Sequence, residues 1–425
     1  MTPLHRARAL FAALADLSHD PPGMTRPSYS ARECQAHALI RSAGAEIGLL
    51  HHTDEIGSLY LTLPGRDRSA PALMTGSHLD TVPHGGNYDG AAGVLAGLAM
   101  LEWLAAGPTP PCDVTLMVIR AEEMIWFPEH YLGSRAAFGL LPRDTPDRVR
   151  RADTGRSLAE HMTERGFDPD AIRAARPQLD PSRIRAFVEV HIEQGPVLAE
   201  AGRPLGIVSG IRGNIRHRFA QITGETTHAG AVPRRARRDA VRAGAELVMA
   251  CEAFWDQVDA EGGDMVLTFG EFSTDPAEHG ITKVPGRLTF TLDMRSQDQP
   301  TLTAFERTLA DESARVSCDR GVEVSLGLAT HAAPAPMTPE IRTALQAAAT
   351  SLGVPWCDIP SGGGHDCAVF AGLGVPVGMV FIRNEHGSHN PNEHMEIADF
   401  DYAARVLTRW AARTLFGSDL LPSGA

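Results

Sequence analysis

PALMTGSHLDTVPHGGNYDGAAGVLAGLAMLEWLA, residues 71–105, opens on an apolar run, crosses a short loop dense in His, Asp and Gly, and closes on a run of small and apolar residues. The run at 71–76 reads as a strand covered on both faces, because no polar residue alternates with the apolar ones. Residues 90–105 read as a helix whose Gly and Ala content suits close packing. Two more runs, DVTLMVIRAEE (113–123) and RAFVEVHIEQG (185–195), predict further buried strands, with shorter strand-like pieces around GSLYLTL. Helical periodicity at 4–17 and 31–47 supplies covering helices, and VPVGMVFI (375–382) returns to the same character. Strands that alternate with helices imply an α/β layered domain, with polar residue types gathered at the C-terminal strand ends.

Residues 211–328 differ. IRHRFAQITGE, DMVLTFGEFS and GRLTFTLDMRS alternate apolar with polar residues, as half-exposed antiparallel strands do, and helices are expected at 236–256 and 300–317. The expected organisation is an α/β domain in two parts, 1–210 and 329–425, around an inserted α+β domain at 211–328. The Pro-rich THAAPAPMTP marks the return.

The totals exclude several classes. A chain of 425 residues is too long for one core, and 43% apolar residues suffice for two. A formal charge of −13 argues against nucleic acid or an anionic membrane as partner. The N-terminal stretch is broken by charge every few residues, and no apolar run approaches the roughly 20 residues of a membrane span. The six cysteines show no CxxC spacing. A cytoplasmic location is expected. RRARRDA (234–240) reads as a solvated helix start, and SGGGHD lacks the rest of a phosphate loop.

Metal-ligand residue types recur at the strand ends: His78 and Asp80, Asp89, Glu122 and Glu123, His191, and His389. One histidine at a strand end is more often structural, and an acid pair is more often a helix cap. Here, however, Glu122 and Glu123 run directly into Met124, Ile125, Trp126 and Phe127, so the pair heads into the protein. Burial is tolerable if Glu123 binds a dication and Glu122 exchanges a proton with water on it. Two residues apart on a strand, His78 and Asp80 point the same way, and the acid can orient the imidazole. Asp89 can bridge two ions, with His78 and His389 on one side and Glu123 and His191 on the other, or permuted.

GSHLDTVPHGGNYDGAAGVLAGL, AEE, GSRAAFG, EVHIEQGPVL, THAGAVPRRARRDA, SGGGHDCAVFAG and GSHNPNEHM, in this order, resemble the motifs of the zinc-dependent amidase, hydantoinase and carbamoylase family. That family includes N-carbamoyl-L-amino acid hydrolases, allantoate amidohydrolases and bacterial β-ureidopropionases. The resemblance implies that the domain at 1–210 and 329–425 is a di-metal hydrolase domain of aminopeptidase type and that the insert at 211–328 is a lid and dimerisation domain. It further implies a homodimer with two divalent ions per subunit, zinc first, with manganese, cobalt or nickel as alternatives. It assigns His78, Asp89 (bridging), Glu123, His191 and His389 as ligands, Glu122 as general base and Asp80 as the partner of His78. It places Gln194, His228, Arg295 and Gly364 at the substrate. Cleavage of the C–N bond of N-carbamoyl-L-amino acids or related ureido acids is the implied reaction.

Two positions depart from the family pattern. Trp126 stands where an arginine is usual, and Thr282 where an asparagine is usual. Allantoate therefore becomes a less suitable substrate, and an N-acyl or aryl-acetyl amino acid becomes the alternative. A dipeptidase of the same superfold and a binding protein that has lost its chemistry are the rival readings. The full set of candidate ligands speaks against the second.

Overall fold

The computed structural model describes residues 2–278 and 280–417. It divides into two compact units. One runs through Ser209 and resumes at Met337, and the other is Gly210–Pro336. The outer ends of the expected ranges, residue 1 and residues 418–425, lie outside the described residues.

The larger unit is built on a mixed sheet. Its central strands, Val377–Ile382, Ile184–Ile192, Ala72–His78 and Val114–Ile119, run parallel in that order. Antiparallel strands Leu59–Leu63 and Leu50–Thr53 extend one side, and Leu205–Ile211 the other. Each central strand is almost wholly buried, which explains their continuous apolar runs. Helix Ala91–Ala105 lies in the core, with 13 of its residues buried. Its small residues are required by contact: a Cβ on Gly93 would stand 2.0 Å from the Val190 carbonyl oxygen. Helices Pro3–Ser18, Ala31–Glu46 and Ile397–Phe416 share this core.

The smaller unit packs helices Ala240–Ala260 and Gln299–Arg320 with an antiparallel sheet centred on Gly213–Thr223 and Arg287–Ser296. Its boundary falls at 336/337 rather than at the expected 328/329. Ala329–Ala332 pairs with Gly213–Thr223, so part of the Pro-rich stretch read as a hinge is sheet. The first expected helix starts later than 236, at Ala240, where the Asp239 carboxylate accepts the Arg242 N–H at 3.0 Å.

A larger difference lies at the glutamate pair. The strand expected over 113–123 stops at Ile119, and Ala121 takes a left-handed φ of 56°. Glu122 and Glu123 therefore stand in a loop just past the strand, so strand alternation does not set their directions. Likewise the strand 72–78 ends at His78, and Asp80 reaches it from the following turn.

Candidate metal centre

His78 ends its strand, His191 is the penultimate residue of its own, and Asp89 sits in the loop leading to helix Ala91–Ala105. That helix begins after Gly90 at φ +66°, where a Cβ would lie 2.6 Å from the His78 ring. Glycine is needed both for the backbone angle and for the approach.

The Nδ1 atoms of His78 and His191 lie 3.1 and 2.9 Å from the carbonyl oxygens of Asp80 and Ile192. A carbonyl only accepts, so each Nδ1 carries a proton and each Nε2 is the ring nitrogen turned toward the other candidate ligands. The two Nε2 atoms are 3.5 Å apart and lie 3.4 and 3.2 Å from the same oxygen, Asp89 Oδ1. The other oxygen, Oδ2, lies 3.6 Å from His389 Nε2, which is itself 3.6 Å from Glu123 Oε1. Ligand atoms thus fall into two groups, His78, Asp89 and His191, and Asp89, Glu123 and His389. Asp89 is common to both. The grouping is the permuted one: the two strand histidines stand together, because both strand ends face the same loop.

Buried negative charge dominates here. Burial, with Asp89 and Glu122 beside it, pushes the Glu123 carboxyl well above the ordinary range. Burial does the same to Glu122, aided by Asp366, Asp80 and Asp89 and opposed by His78. Burial works against a charged His78, but Asp80, Asp89 and Glu122 hold its pKa well above the usual value. Buried carboxylates and imidazole nitrogens that converge in this way are the condition a divalent ion relieves, taking the place of the imidazole proton. The donor set of imidazole and carboxylate suits a zinc-class ion.

Asp80, fully buried, accepts the backbone N–H of Glu122 at 3.1 Å and of Glu123 at 3.0 Å, and the Ser28 hydroxyl at 2.6 Å. One carboxylate thereby fixes His78 and the glutamate pair together. Glu122 Oε2 is 3.9 Å from His78 Nε2, and its side chain is 15% exposed.

Several supporting residues were not singled out by the sequence. Glu33 and Arg120 form a buried pair at 2.8 Å, and Glu33 also accepts the Ala121 N–H at 3.1 Å. This pair secures the left-handed turn that precedes Glu122. Glu393 accepts the N–H groups of Tyr88 and Asp89 at 2.8 and 3.2 Å and the Ser388 hydroxyl at 2.7 Å, while Ser388 also bonds Asp89. GSHNPNEHM carries both residues, so their motif was visible though their roles were not. The neutral His365, its pKa held down by burial, packs 4.5 Å ring to ring against His191.

Of the expected substrate contacts, Gln194 donates to Asp89 Oδ2 at 3.0 Å and stands 3.4 Å from His389. Gly364 is pressed against Tyr131, whose hydroxyl a Cβ would meet at 1.9 Å. His228 and Arg295 belong to the smaller unit. His228 is exposed, and its Nδ1 accepts the N–H groups of Gly230 and Ala231, both at 3.1 Å. Arg295 is bidentate to Asp293, at 3.1 and 2.7 Å. Trp126 is buried, with its only side-chain donor spent on the Thr81 carbonyl at 2.7 Å, and Ile125 beside it is 53% exposed. Thr282 is exposed and offers its carbonyl to the Ala229 N–H at 2.7 Å.

The six cysteines are free, and no helix among the described residues is long and apolar enough to cross a membrane. Residues 74–413 match the Peptidase family M20/M25/M40. The chain is 35% identical to an N-carbamoyl-L-amino acid amidohydrolase of Geobacillus stearothermophilus, covering 93% of this chain and 94% of that one. It is 34% identical to an allantoate amidohydrolase of Escherichia coli strain K12, with the same coverages. A hydantoinase/carbamoylase family amidase of Burkholderia multivorans superposes with TM-score 0.87 at 26% identity, covering 97% of this chain and 98% of that one. The chain belongs to peptidase family M20/M25/M40, on the amidohydrolase branch that acts on C–N bonds other than peptide bonds.

Proposed function

We propose that the protein is a metal-dependent hydrolase of N-carbamoyl-L-amino acids or related ureido acids, with His78, Asp89, Glu123, His191 and His389 holding two divalent ions. The observation that carries the reading is Asp89, whose two oxygens face two separate groups of ligand atoms. Zinc is the ion we favour, with manganese, cobalt or nickel as substitutes. Bound there, the ions would polarise the substrate carbonyl and acidify water.

The chain's own residues supply the rest. Glu122 does not belong to either ligand group, yet lies beside His78 and reaches solvent. Its place beside the ligand groups lets its carboxylate take a proton from the attacking water and return it to the leaving nitrogen. Asp80 holds Glu122 and Glu123 in place by their backbone, and Gln194 braces Asp89. Gln194, His228, Arg295 and Gly364 are proposed to contact substrate. Loss of turnover in His228→Ala is expected, and unchanged turnover would remove that residue from the reading.

An N-acyl or aryl-acetyl amino acid is the second reading. Trp126 offers no free donor, Thr282 no amide, and Ile125 presents an apolar surface two residues from Glu123. Allantoate and dipeptides fit these features less well. A screen of N-carbamoyl, N-acetyl and aryl-acetyl amino acids, allantoate and dipeptides, reading ammonia and free amine separately, tests both. Ammonia released with the amino acid from the ureido compounds supports the first reading. Turnover confined to dipeptides overturns both.

A further inference from the structure

The arginine run at 234–238 is solvated, as its sequence suggests, but it precedes helix Ala240–Ala260 and lines a groove. Arg234, Arg235, Arg237, Arg238 and Arg242 line one groove of about 1220 Å3 with Arg320, which ends the other long helix of the same unit. Three acids, Glu225, Asp239 and Asp319, share the lining, so guanidinium charge outnumbers carboxylate charge two to one. Two of these acids are already engaged. Asp239 caps helix Ala240–Ala260, and Asp319 pairs with Arg315 at 3.2 Å.

The arginines are of two kinds. Arg242 and Arg320 are tied to the two oxygens of Glu246, at 3.3 and 2.7 Å, and Arg237 donates to the carbonyls of Val232 and Ala229. These three are held in place. Arg234, Arg235 and Arg238 are exposed and form no ion pair among the described residues. In a chain of net charge −13, this concentration of uncompensated guanidinium is a local inversion of sign. The start of helix Ala240–Ala260 adds the positive end of its dipole. No aromatic or large apolar side chain lines the groove, so nothing in it would grip a ring or a base. Guanidinium groups pair with phosphate by parallel N–H bonds, and several of them suit several phosphates.

We propose that this groove is a binding site for a small, flexible ligand carrying several phosphate groups, recognised by charge alone. The site is independent of the hydrolytic reading, since no candidate metal ligand lines it.

Inorganic tripolyphosphate, titrated into the full metal-loaded chain at constant ionic strength, tests it. One saturable equivalent per chain is expected, weakened at least about tenfold in Arg234→Ala/Arg235→Ala/Arg238→Ala, with metal content and basal hydrolysis unchanged. Adenosine triphosphate should bind comparably, because only its phosphates are read. Four outcomes would overturn the proposal: no saturable binding, binding unaltered by the triple variant (an ion held at the metals instead), a nucleotide bound much more tightly than tripolyphosphate, or an oligoglutamate peptide of equal charge preferred.

Discussion

The Glu123 N–H donates to Oδ2 of Asp80 at 3.0 Å, while Oδ1 of the same carboxylate lies 3.4 Å from His78 Nδ1. One buried acid thus sets a candidate ligand from each of the two groups around Asp89. Burial alone would raise its pKa, but His78, the Ser28 hydroxyl and the Glu123 N–H hold it below the ordinary value. Asp80→Asn turns one of these acceptors into a donor that faces an N–H or a hydroxyl. A loss of about 10–100-fold in kcat/KM and in metal affinity is expected. Unchanged kinetics and metal content would show that Asp80 positions nothing.

The Glu33–Arg120 pair gives a stability prediction. Both side chains are essentially inaccessible, so Arg120→Met leaves a carboxylate buried without its partner. Urea unfolding of the larger unit should show a loss of about 3–5 kcal/mol. The double variant Glu33→Gln/Arg120→Met should lose less than the two single variants summed. Additive losses would mean that the two groups do not compensate each other.

Much of this was legible in sequence. The apolar runs at 71–76 and 375–382 became buried parallel strands, because a sheet covered on both faces leaves that signature. The candidate ligands were readable as residue types at strand ends. Their grouping was not, since it depends on where strand ends and loops meet in space. Nor was the early stop at Ile119. The turn at Ala121 is secured by Glu33, 88 residues away in sequence, and no local pattern announces that bond. The boundary at 336 was hidden for a similar reason. A Pro-rich stretch looks like a hinge until Ala329–Ala332 finds a partner strand.

Glu122 and Glu123 should fail in different ways. Glu123 belongs to a ligand group and Glu122 does not. Glu122→Gln is expected to keep its metal and lower kcat by about 10²–10⁴-fold, the usual worth of a general acid–base group. Glu123→Gln should lose metal first, with activity partly restored by excess ion. Equal metal loss in both, measured by elemental analysis after dialysis, would refute the division of roles.

His161 supplies a pH dependence away from the centre. Burial, with Arg151 and Arg156 nearby, lowers its pKa from 6.5 to about 4. The unfolded chain therefore takes up this proton first as pH falls, so this contribution to stability declines from pH 6.5 to about 4 and is flat below. His161→Gln should remove that component of the pH profile of Tm. A variant whose profile matches the parent across this window would contradict the assignment.

The most direct test of the shared role of Asp89 is a calorimetric titration of zinc or manganese into metal-free protein, alongside Asp89→Asn. Two equivalents per chain are expected for the parent, with both weakened by the substitution, because one carboxylate serves both groups. A single equivalent in the parent, or two undiminished equivalents in Asp89→Asn, would contradict the account.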